Sequence, residues 1–157
     1  MHKPASYWIQ KLNLLPHPEG GFYAETFRAD LEVDAGFGKR SALTSIFYLL
    51  KAEDFSGFHR IKSPELWYWH AGETLLIHEI DETGTLHTHH LSEENPFAAI
   101  APKSWFASEL KNKSAYVLVS CAVAPGFDFA DFEMAKAAAL IHQFPKHFKI
   151  LSRLCRE

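Results

Sequence analysis

A chain of 157 residues, 47% hydrophobic and with a net charge of −3, is expected to fold as one soluble domain with a substantial core. The mild acidity and the lack of a Lys/Arg run leave no electrostatic footprint for nucleic acid, and no apolar run nears the ~18 residues of a membrane helix. Two cysteines, Cys121 and Cys155, make no disulfide framework, and Met1-His2-Lys3-Pro4 does not open like a signal peptide, so a reducing cytoplasm is the expected location.

Residues 6–14 carry Tyr7, Trp8 and Leu12 near helical spacing, with Leu15 just beyond, and Pro16 and Pro18 end the segment. His17-Pro18-Glu19-Gly20-Gly21 has the make-up of a tight backbone turn, with ligand contact as the lesser alternative. A strand follows over 22–28, with Tyr23, Glu25 and Phe27 on one face. Residues 29–40 form a loop or ragged hairpin. Strands are expected over 41–50, 55–62, 65–71, 73–80, 85–91, 97–101, 105–110 and 115–123, with a turn at Glu82-Thr83-Gly84. Cys121 falls in an apolar strand as a small core residue. The end changes character. The spacing predicts a helix over 129–142, capped by Asp128, and a last helical piece from Pro145 carrying Phe148, Leu151 and Leu154. Many short strands with turn signals point to a β-sandwich or barrel, its outside covered by the helices.

The chemically richest stretch runs from Phe58 to Gly72 and holds His59, Arg60, Glu65, Trp67, Tyr68 and Trp69. Side chains on a strand repeat every two residues, so if Glu65 faces a pocket, Trp67 and Trp69 face it too. A carboxylate among these aromatics is costly to bury unpaired, and Arg60 or Arg28 is its natural partner. His59 suits a general base near neutrality, oriented by Glu65 or Glu25. Arg28 and Arg60 can clamp a carboxylate or phosphate. Tyr23 can act as an acid at the mouth. Trp67 and Trp105, then Trp69 and Phe106, can stack on a ring. Each has a structural alternative: a hydrogen-bonded barrel histidine, a Glu–Arg pair, a surface arginine, packed aromatics. His87 and His89 share a strand face roughly 6.5–7 Å apart and form a rival site, with exposure as the alternative. His142 and His147 are expected to face solvent.

Pro16-His17-Pro18-Glu19-Gly20-Gly21 with Tyr23, Glu25 and Arg28, then His59-Arg60-x-x-Ser63-x-Glu65-x-Trp67 with Gly72, Pro102-x-x-Trp105-Phe106, and Ala124-Pro125-Gly126-Phe127-Asp128-Phe129 resemble an uncharacterised family of RmlC-like cupins. The resemblance runs from about residue 10 to about residue 150. It implies a mainly β double-stranded β-helix (jelly-roll) barrel over about 20–124. Short helices would precede it and follow it over about 128–155, all in one domain over 1–157. It implies a pocket open at one mouth, commonly in a homodimer, and it adds Ser63 to the ligand-binding residues. Against the general cupin metal motifs, His59, Glu65 and Gly72 fit. Ile61 replaces a histidine, and Ala107 stands where the second motif carries its histidine. A divalent ion held weakly by His59 and Glu65, with His70 as a further candidate, is the most that pattern allows, and no tightly bound cofactor is expected. The set resembles instead the metal-free sugar epimerases of the superfamily, which use a His base and a Tyr acid. The leading expectation is proton-transfer chemistry of the epimerase or isomerase kind on a polar small molecule, with His59, Glu65 and Tyr23 catalytic. A non-catalytic ligand-binding or sensor module and a metal-dependent oxygenase or isomerase are the alternatives.

Overall fold

The computed structural model describes residues 3–156; Met1 and His2, half of the stretch weighed as a leader, lie outside the described residues. The chain opens with α1 (Ala5–Lys11) and runs through β1 (Leu15–Pro16), β2 (Phe22–Arg28), β3 (Glu32–Asp34), β4 (Lys39–Ser41), β5 (Thr44–Lys51), β6 (Phe55–Arg60) and β7 (Glu65–Gly72). It continues with β8 (Leu75–Ile80), β9 (Leu86–Leu91), β10 (Phe97–Ile100), β11 (Trp105–Leu110), β12 (Tyr116–Val123), β13 (Glu133–Met134), α2 (Ala137–Gln143) and α3 (Phe148–Leu154). One antiparallel sheet has the order β1-β2-β5-β12-β7-β10, the other β13-β6-β11-β8-β9. Two such sheets, with strands that cross between them, make the expected jelly roll. No helix among the described residues is long and apolar enough to cross a membrane.

Alternation along each strand decides what faces inward. In β7 the expected set Glu65, Trp67 and Trp69 shares the inner face. Across the ladder Val123 stands opposite Glu65 and Cys121 opposite Trp67. The interior is divided. One half is filled by Trp67, Tyr48, Leu50, Ile77, Leu91, Ile100, Phe106 and Val119. The other half, around His59, Glu65 and Tyr23, is open. Outside the second sheet, Phe58, Ile80, Trp105 and Ala107 meet Leu140, Leu151 and Leu154 of the C-terminal helices. Outside the first, Leu49, Tyr116 and Leu118 lie under Trp8, Ile9 and Leu12.

Of the loop or ragged hairpin expected over 29–40 the structure shows the hairpin, β3–β4, fastened by Arg40 to Asp131 at 2.7 Å. One expectation changes. The helix expected over 129–142 is broken. Phe129–Asp131 forms one 3₁₀ turn, with Asp128 accepting from the Ala130 N–H as expected of a cap. Then β13 pairs with β6, Ala135 donates to the Phe58 carbonyl, and α2 begins at Ala137. A sheet edge offering backbone partners and a buried site for Ala135 outweighs the helix propensity of an Ala-rich run.

Candidate functional site

The open half of the barrel is a cavity of about 490 Å³. Its inner wall comes from Ile46 and Tyr48 of β5, His59 of β6, Ile61, Glu65 of β7 and Cys121 of β12. Its mouth is framed by Tyr23, Glu25 and Arg28 of β2 and by Phe127, Asp128, Phe129 and Phe132. Of these last four, Phe129 and Phe132 lie in the segment expected to be helix, and Asp128 is its cap.

The least expected member is Glu19. The turn from His17 to Gly21 closes on itself through His17 N–H to Gly21 O and Gly20 N–H to His17 O, each 3.0 Å. Gly20 has φ +109°, and a Cβ there would stand 2.1 Å from the Phe55 carbonyl and from the Arg156 guanidinium. Only glycine lets the turn lie so close to β6. The Glu19 carbonyl accepts from Gly57 N–H at 2.8 Å and from Arg156 Nε at 2.7 Å, while Tyr48 Oη donates to the Gly20 carbonyl at 2.7 Å. So anchored, the turn turns the Glu19 side chain inward. Its Oε2 lies 3.0 Å from His59 Nε2, and both groups are buried.

His59 is held at both nitrogens. With the Gly57 carbonyl 2.7 Å from Nδ1, that nitrogen is assigned the proton, and Nε2 meets Glu19. Burial opposes charge on the ring. The charge and hydrogen bond of Glu19, the charge of Glu65 and the Gly57 carbonyl outweigh it, so the His59 pKa is raised. Burial also pushes Glu19 up, but His59 and His17 hold its pKa below the usual carboxylate value. The two form a buried ion pair. The expectation that Glu65 or Glu25 orients His59 is therefore corrected: Glu19 does. His17 sits behind, its Nδ1 accepting from Glu19 N–H at 3.2 Å, and burial lowers its pKa.

Glu65 is the opposite case. It is 9% exposed and no cation pairs with it among the described residues. Its neighbours are the Cys121 thiol and the Trp67 indole N–H, which completes no hydrogen bond of ordinary geometry. Burial and the negative charge of Glu19 raise its pKa to about 7, against the pull of His59. Burial likewise pushes the Cys121 thiol well up, with Glu65 beside it. Neither arginine expected at Glu65 is there. Arg60 points out of the barrel, bonds Glu133 at 2.8 Å and lies over Trp105 at 4.4 Å. Arg28 grips Glu25 at 2.9 Å and the Phe127 carbonyl at 3.2 Å.

The structure thus brings His59, Glu65, Tyr23, Glu25 and Arg28 together around one cavity. It places the others elsewhere. Trp67 is core in the filled half, and Phe106 packs against His59 with ring centroids 4.2 Å apart. Trp105 lies outside the second sheet, and Ser63 is buried off the cavity wall. His70 faces outward to Ser120 at 2.9 Å. His87 and His89 do not share a ligand position, because His87 pairs with Asp81 at 2.7 Å and His89 with Glu79 at 2.8 Å. His147 is only half-buried and reaches the Gly84 carbonyl at 2.9 Å. Sequence reasoning reads His17 and Glu19 first as a structural turn and Cys121 as core, and does not single out the phenylalanines of the mouth. The one signal for Glu19 was a carboxylate set between a proline and two glycines, two residues after a histidine.

A family model described as Cupin superfamily (DUF985) matches residues 6–135. Among solved structures, a hypothetical protein from Leishmania major is similar at 33% identity and TM-score 0.92, with 99% of this chain and 100% of that one covered. A protein from Shewanella oneidensis is similar at 34% identity and TM-score 0.90, with 99% of each chain covered. The oxalate decarboxylase from Bacillus subtilis is similar at 14% identity and TM-score 0.58, over 88% of this chain and 36% of that one, a likeness of fold. No curated protein matches the chain. One further structure of that decarboxylase concerns its Mn(II) centres; the cavity here offers a different donor set. Ile61 occupies one ligand position on the cavity wall. The inward residue opposite His59 is Phe106, not Ala107, which faces the outer helices. His59 is already paired, and among the described residues no three His, Cys, Asp or Glu side chains form a metal-binding group. These residues do not fit a resident divalent ion.

Proposed function

The chain belongs to the Cupin superfamily (DUF985) family, and on that premise we propose that it binds a polar small molecule bearing a ring in the barrel and moves a proton on it, as an epimerase or isomerase does. The observation that carries this reading is Glu65, a buried carboxyl on the cavity wall whose pKa of about 7 lets it give and take a proton near neutrality. Glu65 is the acid/base. His59, expected as the free base, is instead the fixed positive partner of Glu19, and its charge eases ionisation of Glu65. Tyr23 lies at the cavity mouth, edge-on to His17 at 4.6 Å, and is the second acid.

The test is deuterium uptake from D2O into a panel of small ring compounds with an acidified C–H, read by mass spectrometry. Uptake by the wild type is expected to fall by about 10²–10⁴-fold in Glu65→Gln. Unchanged uptake in that variant would sink the mechanism. A second reading, a non-catalytic ligand-binding or sensor module, is favoured by the locking of His59 at both nitrogens, which leaves few protons to move. Tight binding without exchange would select it. The cytoplasmic homodimer belongs to the same proposal. Exposed Leu15, Phe27 and Leu31 on and beside β1 and β2 support self-association, and a monomer in native mass spectrometry would remove the dimer.

A further inference from the structure

Resting on the reading above, we infer that the cavity takes a small organic cation, an amine or amidine joined to a flat ring, with the charge set against Glu65 and the ring held by the aromatic mouth. The charges around the cavity carry the argument. Glu19, Glu25, Glu65 and Asp128 line it, against one guanidinium, Arg28, and the His59 imidazolium. Both cations are taken: Arg28 by Glu25 and the Phe127 carbonyl, His59 by Glu19. His17 is kept neutral by burial. An entering carboxylate or phosphate would meet no unpaired cation and would have to displace Glu25 or Glu19 from its partner. The anion clamp expected of Arg28 and Arg60 has no place here, since Arg60 lies outside the barrel.

Glu65 points the other way. A buried carboxylate without a cation partner is costly; the empty site meets that cost by holding a proton, and a ligand bringing a charged donor would meet it with Glu65 ionised. Above it, Tyr23, Phe127, Phe129 and Phe132 surround the mouth, with Phe129 stacked on His17 at an interplanar angle of 27° and half exposed. Faces of aromatic rings attract cations and stack on flat rings. The cavity volume lies within the range of small-molecule sites.

The charge on Glu65 also sets a pH dependence. The titratable groups around it are Glu19 and His17 from the turn, Tyr48 of β5, His59 of β6 and Cys121 of β12. Tyr48 and Cys121 stay protonated across the neutral range, and Glu19 and His59 hold each other's charge. Cation binding needs ionised Glu65, so affinity rises with pH through about 7.

Three probes sharing one ring separate the charge classes: 2-phenylethylamine, 2-phenylethanol and phenylacetate, titrated calorimetrically. At pH 8 the amine is expected to bind at least about tenfold more tightly than the alcohol, and phenylacetate more weakly than either. Amine affinity is expected to fall roughly 30-fold between pH 8 and pH 5.5. Glu65→Gln should remove both the preference and the pH dependence. Phenylacetate binding as tightly as the amine, a preference that survives in Glu65→Gln, or no amine binding at millimolar concentration would each overturn the inference. Amine binding without deuterium exchange on any amine would keep the cation site and remove the catalytic reading, so the two fail separately.

Discussion

Glu65→Gln is expected to stabilise the protein at pH 8 by up to about 3 kcal/mol while removing the proton-transfer activity. The sign follows from the raised pKa. Below about 4.5, the usual value for a free Glu, the carboxyl is protonated in both folded and unfolded chains, and the wild type pays nothing for it. Between there and about 7 the unfolded chain ionises first, folding must take up a proton, and stability falls as pH rises. Above about 7 the whole penalty is present. Glutamine carries no such charge, so the two proteins should have similar unfolding free energies near pH 4 and diverge towards pH 8. Urea denaturation at the two pH values reads the difference. A variant equally stable at pH 8, or destabilised at both, contradicts the account. A site residue whose removal stabilises the fold is kept for function, and that makes this substitution informative whatever the substrate proves to be.

Glu19→Ala should act in the other direction and cost about 3–5 kcal/mol, because it leaves a buried imidazolium without its counter-ion. The contribution of the pair has a pH window. The His59 part is complete below the ordinary histidine pKa of 6.5 and is lost as pH rises through its raised folded value. The Glu19 part is complete above 4.5 and is lost as pH falls through its lowered folded value. The loss should therefore be largest near pH 6. The His59 pKa in the variant should fall below its value in the wild type, since burial then stands without its main opponent. In a double-mutant cycle, Glu19→Ala and His59→Ala should cost clearly less together than the sum of the two alone. Additive costs would mean that the two groups do not depend on each other.

Much of the barrel was legible in the sequence. The bounds of β2 and β11 match the expected 22–28 and 105–110, because alternation, glycines and prolines are local signals that survive burial. Alternation also put Glu65, Trp67 and Trp69 on one face correctly. It could not show that the interior is open beside Glu65 and filled two residues later at Trp67, because that depends on how the two sheets close on each other. The same limit applies to Phe106. Spacing against a motif aligned Ala107 with a ligand position, whereas the pairing of Phe106 with His59 makes Phe106 the inward residue. Glu19 and His59 are forty residues apart, and nothing local ties a carboxylate in a glycine turn to a histidine on a distant strand. The run from Phe129 to His142 carries helix-forming residues, and the pairing of β13 with β6, which no local signal announces, is what breaks it after one 3₁₀ turn.

Glu65 is proposed as the cavity's proton-exchanging group. Carbon-13 NMR of side-chain carboxyls in protein labelled at glutamate, titrated from pH 3 to pH 9 in the wild type and in Glu65→Gln, tests it most directly. One glutamate resonance is expected to show a midpoint near 7 and to disappear in the variant. Every glutamate titrating in the ordinary acidic range, or a neutral-range midpoint that persists in Glu65→Gln, would contradict it.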